Sequence, residues 1–330
     1  PRFEQGKFGK AVLVEEGTEN LCGYPLDLTN SNWAKSYCSV TSNAGTAPDG
    51  TNTLFKIKED TTADVVHEIR TPSMTTTSGT YYTFSVIAKA GERRYIRVGL
   101  TTAQFGDLTW VVADLQSGTI VNTSGSPSSY GIVPLVSGFY RIYITAQAAA
   151  STSGTQYIGL QLDSTSITYT GDGSSGLYVW HPQVEAKPYL TSFIDDTRSP
   201  ETLTIPTAGV INPLNAWTLE WLVRCGKLSV INHHLGLGAI WDSSDPNNRI
   251  SFHLRRNSSP YRVAFWSSAT GWYESSVTVA DNSDVYIAFA YDGAGTLRIL
   301  VNGQLAGTFS VVIPNANYDS FVLGRGSSAE

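Results

Sequence analysis

Three observations predict an all-β fold. First, side-chain character alternates with period two in segment after segment. Tyr82, Phe84, Val86 and Ala88 share one face of YYTFSVIAK, while Tyr81, Thr83 and Ser85 take the other. Trp217, Leu219, Trp221 and Val223 line one face of WTLEWLV in the same way. Such alternation marks a half-buried antiparallel strand. Second, these runs are short and are bounded by clusters of Gly, Asn, Asp, Ser and Thr, the residues that turns require. Third, nothing longer than one turn carries a helical period, and NSNWAK around Trp33 is the only candidate for even that. At 330 residues the chain exceeds one ordinary sandwich and suits two.

In chain order, FGKAVLVEEG opens with Ala11, Leu13 and Glu15 alternating against Val12 and Val14, a strand over residues 8–15. From Asn20 to about Tyr189 the strands are YYTFSVIAK, YIRVGL, FYRIYIT, YIGLQL and LYVWHPQV, with turns at Asp49-Gly50, Gly91-Glu92, Ser117-Gly118 and Gly171-Asp172-Gly173. FIDDTRSPET (193–202) reads as a connection. A second set follows: LTIP, WTLEWLV, RISFHLR, YRVAFWS, VYIAFAY, LRILVNG, GTFSVVI and FVLG. Asn302-Gly303 between two alternating runs is a type I′ hairpin signal. The two halves show no internal repeat.

Composition bounds the function. Only 15% of residues are charged and the net charge is −6, so a polyanion partner such as nucleic acid is not expected. A surface rich in Ser, Thr, Asn, Gly and Tyr suits sugars or crowded assemblies. No stretch approaches the roughly 20 apolar residues of a membrane span, so no membrane insertion is expected. Cys22, Cys38 and Cys225 cannot all pair within the chain. Either Cys22 and Cys38 form a bridge, contributing roughly 3 kcal/mol by closing a short loop, or all three are reduced, part-buried thiols. The sequence opens at Pro1 without a signal-peptide pattern and reads as a processed chain or a piece of a longer one.

Two resemblances follow from particular residues. The opening NL…YPLDLTNSNWAK, the APDGT loop, GERRYIRVGL, SGFYRIYIT and YTGDGSSGLYVWHPQVE over residues 20–190 resemble the carbohydrate-binding-module-like jelly roll of phage tail and spike proteins. AWTLEWLV (216–223), AFAYDGAGTLRILVNGQLAG (288–307) and FVLGRG (321–326) resemble the concanavalin A-like, LamG-type lectin/glucanase sandwich. In that second family a GKFGKA-type strand directly precedes a segment like ETLTIP, whereas here the two lie nearly two hundred residues apart. The resemblance thus implies two antiparallel β-sandwiches, a jelly roll inserted into a concanavalin A-like sandwich. Residues 1–19 would supply the first strand of the C-terminal sandwich, 20–192 the jelly roll and 193–330 the lectin-like sandwich. In the alternative, 1–19 is a linker.

No catalytic constellation is read. Laminarinase-like relatives carry alternating carboxylates, E-x-D-x-x-E, on one strand, because a retaining glycosidase needs two carboxyls about 5 Å apart. Here Glu220 stands alone opposite the Trp217 face, Asp195-Asp196 and Glu15-Glu16 are adjacent and diverge, and His233-His234 has no evident nucleophile. Asp242, Asp245 and Asn247, with Asn248, concentrate in WDSSDPNN. They suit either a structural calcium, which takes six to eight oxygens, or a plain polar turn; Asp27 with Asp172 is a weaker pair.

Sugar sites need an aromatic plate with polar groups beside it. In RISFHLR and YRVAFWS the alternation places Arg249, Ser251, His253, Arg255, Arg262 and Trp266 on the non-core face, with Trp272 and Tyr273 of ATGWYES as a wall. The alternative packs Trp266 under another part of the protein. The same logic exposes Tyr95, Arg97, Tyr143, Tyr157 and Gln161 on the jelly roll, provided their strands are neighbours and a second layer does not bury them. The expected function is a non-catalytic carbohydrate-binding, adhesion module of a phage tail- or spike-type structural protein, with no cofactor required. It would act at a virion surface or extracellularly on a polysaccharide or cell-surface glycan, as a homo-oligomer, with a trimer attractive because weak sites gain from multivalency. The alternatives are a glycoside hydrolase or lyase with an unrecognised site, and a purely architectural protein.

Overall fold

The alternating runs become strands, and all of their pairings are antiparallel. The computed structural model describes residues 2–6, 9–13, 15–200, 203–206, 212–225, 235–242, 244–255, 261–280 and 283–323. Its contacts divide the chain into two units, one of residues 17–199 and one of 1–16 with 200–330.

The unit 17–199 is two six-stranded sheets face to face. Sheet I runs Thr119–Ser124, Thr109–Asp114, Tyr95–Leu100, Tyr157–Gln161, Glu68–Arg70, Ala34–Ser36. Sheet II runs Ser129–Pro134, Tyr140–Gln147, Tyr81–Lys89, Gly176–Glu185, Phe55–Glu59, Cys38–Thr41. Ile96, Val98, Leu100, Val111 and Ile158 of sheet I meet Phe84, Val86, Ile142, Ile144 and Leu177 of sheet II in one buried core. Each such side chain contributes roughly 1.5–3 kcal/mol on burial.

The outer faces are covered as well. Thr83 and Ser85, opposite the core residues of their strand, are fully buried. The chain after Glu185 folds back across sheet II: Thr83 donates to the Lys187 carbonyl (2.9 Å), Arg141 to the Thr191 carbonyl (2.6 Å), and the Ile194 N–H to Gln183 Oε1 (2.8 Å). Residues 193–199 therefore pack with the unit 17–199 rather than serving as a free connection. So do residues 17–19, because Thr18–Glu19 pairs with Thr197–Arg198 and ties the two ends of the unit together.

In the second unit, sheet III runs Leu203–Pro206, Ser320–Leu323, Leu235–Asp242, Asp245–Arg255, Tyr261–Ser267, Gly271–Val279, and sheet IV runs Trp217–Arg224, Asp284–Tyr291, Thr296–Val301, Gln304–Ser310. Aromatic rings fill the space between them. Phe252 of sheet III lies 5.0 Å from Phe289 and 4.9 Å from Trp221 of sheet IV, centroid to centroid. Asn302 and Gly303 both have positive φ, 51° and 78°, as a type I′ turn requires.

Two local expectations are corrected and one open alternative is decided. Among the described residues Gly9–Leu13 pairs with Arg2–Gly6 in a two-stranded sheet rather than with sheet III or IV, since a hairpin partner a few residues away closes at little entropic cost, although contacts group residues 1–16 with 200–330 as expected. NSNWAK forms a turn, with the Trp33 N–H donating to the Asn30 carbonyl, and then enters the strand Ala34–Ser36; the four-residue helix lies instead at Thr102–Phe105. Cys22, Cys38 and Cys225 are all free thiols; burial pushes Cys38 up to about 12 and Cys22 higher still.

Two polar features test the packing of the unit 17–199. Buried Glu59 accepts from Arg93 Nε (2.8 Å) and Nη2 (2.5 Å), the Tyr169 hydroxyl (2.6 Å) and the Asp172 N–H (2.9 Å). Burial alone would raise its pKa, but these bonds outweigh it and hold the carboxyl below the usual range. Arg93→Met strands that charge and is expected to cost about 3–5 kcal/mol in urea unfolding. His181 lies between the rings of Trp180 and Phe193, with centroids 3.3 and 3.6 Å away, and burial lowers its pKa to about 4. Because the folded value lies below the ordinary 6.5, the unfolded chain takes up the proton first. Stability should therefore fall as pH drops from about 6.5 to 4, and His181→Asn should flatten that part of the profile.

Candidate functional site

Sheet III positions the strongest cluster of exposed-face aromatics. Ile250, Phe252 and Leu254 point into the core, which forces Arg249, Ser251, His253 and Arg255 onto the outer face. The adjacent strand turns Tyr261, Val263 and Phe265 inward and Arg262, Ala264 and Trp266 outward. Trp266 is paired directly with Trp272, so both indoles share that face. Each carries a cation: the Arg249 guanidinium lies 4.7 Å from the Trp266 ring and that of Arg255 lies 4.3 Å from the Trp272 ring. His253 is buried against the edge of Trp272, at 4.7 Å, and its Nε2 bonds Ser251 Oγ at 2.8 Å. Arg255 is also ion-paired to Glu274. Arg262 donates to the carbonyls of Ser275 and Ser276 and so holds the irregular stretch of the neighbouring strand.

Trp266, Trp272, Arg249 and the other outward aromatics are half-buried, while His253 and Ser251 are buried beneath them. The face thus carries two indoles, each with a guanidinium over its ring, and the Arg255 guanidinium is held in addition by Glu274.

Residues 199–330 match the family model Laminin_G_3, the concanavalin A-like lectin/glucanases superfamily. The superfamily contains both lectins and glucanases, so the match itself decides neither activity. No curated protein sequence matches the chain. Among the described residues, no helix is long and apolar enough to cross a membrane.

Tyr273 does not belong to the outer face of sheet III. GWYES is part of the strand Gly271–Val279 rather than a loop, so Tyr273 points opposite to Trp272 and packs, half-buried, with Phe265 and Phe309 at 6.3 and 5.5 Å. Two residues of this face were not anticipated. Glu274 follows Trp272 by two positions, a spacing that alternation makes legible once the segment is read as a strand. Trp241 is paired with Arg249, and only strand order could have put it there.

The second expected patch divides. Tyr95, Arg97, Tyr157 and Gln161 share the outer face of sheet I, because Tyr95–Leu100 and Tyr157–Gln161 are neighbours. Tyr143 lies in sheet II, on the other side of the sandwich, where its ring rests over Gly131. Nor is the sheet I patch an open groove: Arg97, Tyr157 and Gln161 are 4%, 2% and 1% exposed.

The loop 241–248 is closed on itself. Asp242 accepts from the N–H and hydroxyl of Ser244 (2.9 and 2.5 Å) and from the Asn317 N–H (3.3 Å). Asp245 accepts from the Asn247 N–H and the Asn248 amide, both at 3.1 Å. Asp172 caps its own turn through Ser174 and Ser175, and Asp27 does likewise through Thr29. Among the described residues no three His, Cys, Asp or Glu side chains converge as a metal site. His233-His234 lies outside the described residues. With the carboxylate oxygens of the loop engaged by its own donors, millimolar calcium or EDTA is expected to move the thermal midpoint by less than about 2 °C. A larger rise with calcium would show that these oxygens reorganise around the ion.

Proposed function

We propose that this chain is a non-catalytic carbohydrate-binding, adhesion module of a phage tail- or spike-type structural protein. On this reading the outer face of sheet III grips saccharide through Trp266 and Trp272, with Arg249, Arg255 and His253 beside them. The observation that carries the reading is the pair of Trp–Arg stacks on one face of a domain whose superfamily contains lectins. The low fraction of charged residues and the jelly-roll resemblance of residues 20–190 support the adhesion context. The described buried carboxylates support a non-catalytic role: Glu59, Glu68 and Asp114 are each tied to arginine, Glu185 to Thr191, and Asp242 to Ser244 and Asn317. One shallow face gives weak single-site affinity, so the proposal includes a homo-oligomer, with a trimer as one arrangement, displayed at a virion surface or outside the cell.

Glycan-array binding of the wild type against Trp266→Ala and Trp272→Ala tests it. Each variant should weaken the best glycan by about tenfold or more, about 1.4 kcal/mol, with an unchanged circular dichroism spectrum. Arg249→Gln, which keeps the indole, should weaken binding less. Unchanged binding in all three would show that the stacks are structural, and glycan cleavage by the wild type would overturn the non-catalytic reading.

A further inference from the structure

The unit 17–199 presents one edge strand of unusual sequence. Residues 115–140 contain no Asp, Glu, Lys, Arg or His, the longest such stretch in the chain. They form an outermost strand of each sheet, Thr119–Ser124 of sheet I and Ser129–Pro134 of sheet II, which touch one another. An edge strand offers unpaired N–H and C=O groups to any other strand, so proteins usually guard it with charge or cover. The other outer strands of this unit follow that rule. Ala34–Ser36 carries Lys35, and Cys38–Thr41 is backed by Lys56 and Lys58. Thr119–Ser124 is tied across its Asn122 amide to the Ser164 carbonyl at 2.9 Å. Ser129–Pro134 carries no charge, and among the described residues no strand pairs with its outer side. It is lined instead by exposed apolar side chains: Tyr130, Val133, Leu135 and Val136, with Val121 on the adjoining strand, from 37% exposed at Leu135 to 62% at Val136.

Register tells which backbone groups point outward. Leu135 donates to the Phe139 carbonyl at 2.8 Å. Residues of an antiparallel strand alternate between bonding a neighbour and pointing away from it. Val133, Gly131 and Ser129, opposite Arg141, Tyr143 and Thr145, are thus the positions bonded to the strand Tyr140–Gln147. Tyr130 and Ile132 turn both N–H and C=O to the open side. Pro134 turns only a carbonyl there, because proline has no N–H.

This pattern is self-complementary. When a second copy is set antiparallel about a twofold axis at Gly131, each Tyr130 faces the other copy's Ile132. Every outward N–H of both edges then meets a carbonyl. Gly131 sits on the axis, at the pair that is not hydrogen-bonded, where Cα atoms approach to about 4.5 Å. A side chain there is already excluded by Tyr143, whose ring would stand 2.8 Å from a Cβ at Gly131. Charge decides the occupant. A charged surface laid on this edge would lose its water without gaining an ion pair, whereas a second copy presents the same uncharged edge by symmetry. Five apolar side chains and a short backbone edge cover on the order of 500 Å² on each copy, the size of a reversible interface.

We infer that this edge joins two copies of the chain, so that sheet II of one runs on into sheet II of the other. The inference rests on the unit 17–199 alone and not on the saccharide reading, and it gives a pair rather than a trimer. Sedimentation velocity of the full chain tests it. The mass should rise from one chain to two between micromolar and submillimolar concentration. Over the same range, amide-resolved hydrogen exchange should slow about tenfold or more at Tyr130 and Ile132, and stay constant at Gly131 and Val133, which are bonded within sheet II in either state. Tyr130→Pro removes an N–H that the single chain does not use, and Tyr130→Lys adds the missing guard charge. Each should raise the dissociation constant about tenfold or more with an unchanged circular dichroism spectrum. If the proline variant misfolds, the lysine variant and the wild-type exchange pattern decide. A single-chain mass at every concentration, a three-chain mass, exchange at Tyr130 and Ile132 that ignores concentration, or equally tight pairing by Tyr130→Lys would each overturn the proposal. Glycan binding at Trp266 and Trp272 is read in a separate assay, so failure of either proposal leaves the other standing.

Discussion

One asparagine closes the larger unit. Asn20 is buried, and all the hydrogen-bonding capacity of its amide is engaged: Nδ2 donates to the carbonyls of Pro182 and Ile194, and Oδ1 accepts from the N–H groups of Cys22 and Val184. Its backbone N–H donates to Asp196 at 2.7 Å, next to the pairing of Thr18–Glu19 with Thr197–Arg198. A segment near the start and one near the end of the unit 17–199 are thereby held to the same strand. Adjacent ends are the geometric condition for placing one sandwich within the sequence of another, since the flanking chain can then enter and leave at one point. Asn20 also fixes the path of residues 186–196, which cover sheet II. The burial of Thr83, Ser85 and Arg141 depends on that path.

Period-two alternation made the inner faces legible. It identified Tyr82, Phe84, Val86 and Ala88 as core, and Ile250, Phe252 and Leu254 likewise, because any strand of a sandwich must bury one face. The Asn302-Gly303 turn was legible for a local steric reason. Alternation does not say what lies over the other face. Residues 162–168, which bring Ile167 onto the Trp110 and Tyr157 cluster, and the return segment over Thr83 are irregular chain, and their placement follows from particular hydrogen bonds made at a distance in sequence. Strand order was hidden for the same reason, so Tyr143 was grouped with strands that belong to the opposite sheet. Tyr273 was a different error: once WYES is a strand, Trp272 and Tyr273 must diverge.

The sheet III face shows how a modest surface can still be specific. An isolated arginine side chain samples many rotamers, and fixing it on binding is costly in entropy. Arg249 and Arg255 are already laid on indole rings, and Arg255 is further held by Glu274. Both side chains are therefore held in place before any ligand arrives. His253 and Ser251 are buried on the same face, and His253 packs against the edge of Trp272. On the proposed reading such a surface would offer little depth and so limited affinity, with its selectivity resting on side chains already ordered.

The buried polar groups of the unit 17–199 differ in how fully their hydrogen bonds are met. Around Glu59 the accounting is complete: both carboxylate oxygens are engaged, and the donors come from a guanidinium, a phenol and a backbone N–H on three separate segments. Gln183 and Thr191, under the return segment, are likewise satisfied by their neighbours. Buried Gln161 of sheet I and Gln156 Oε1 have no such partner among the described residues. Leucine at position 161 would fill a similar volume without an amide to satisfy, so the completeness reached around Glu59 is a property of that cluster and not of every buried amide in the unit.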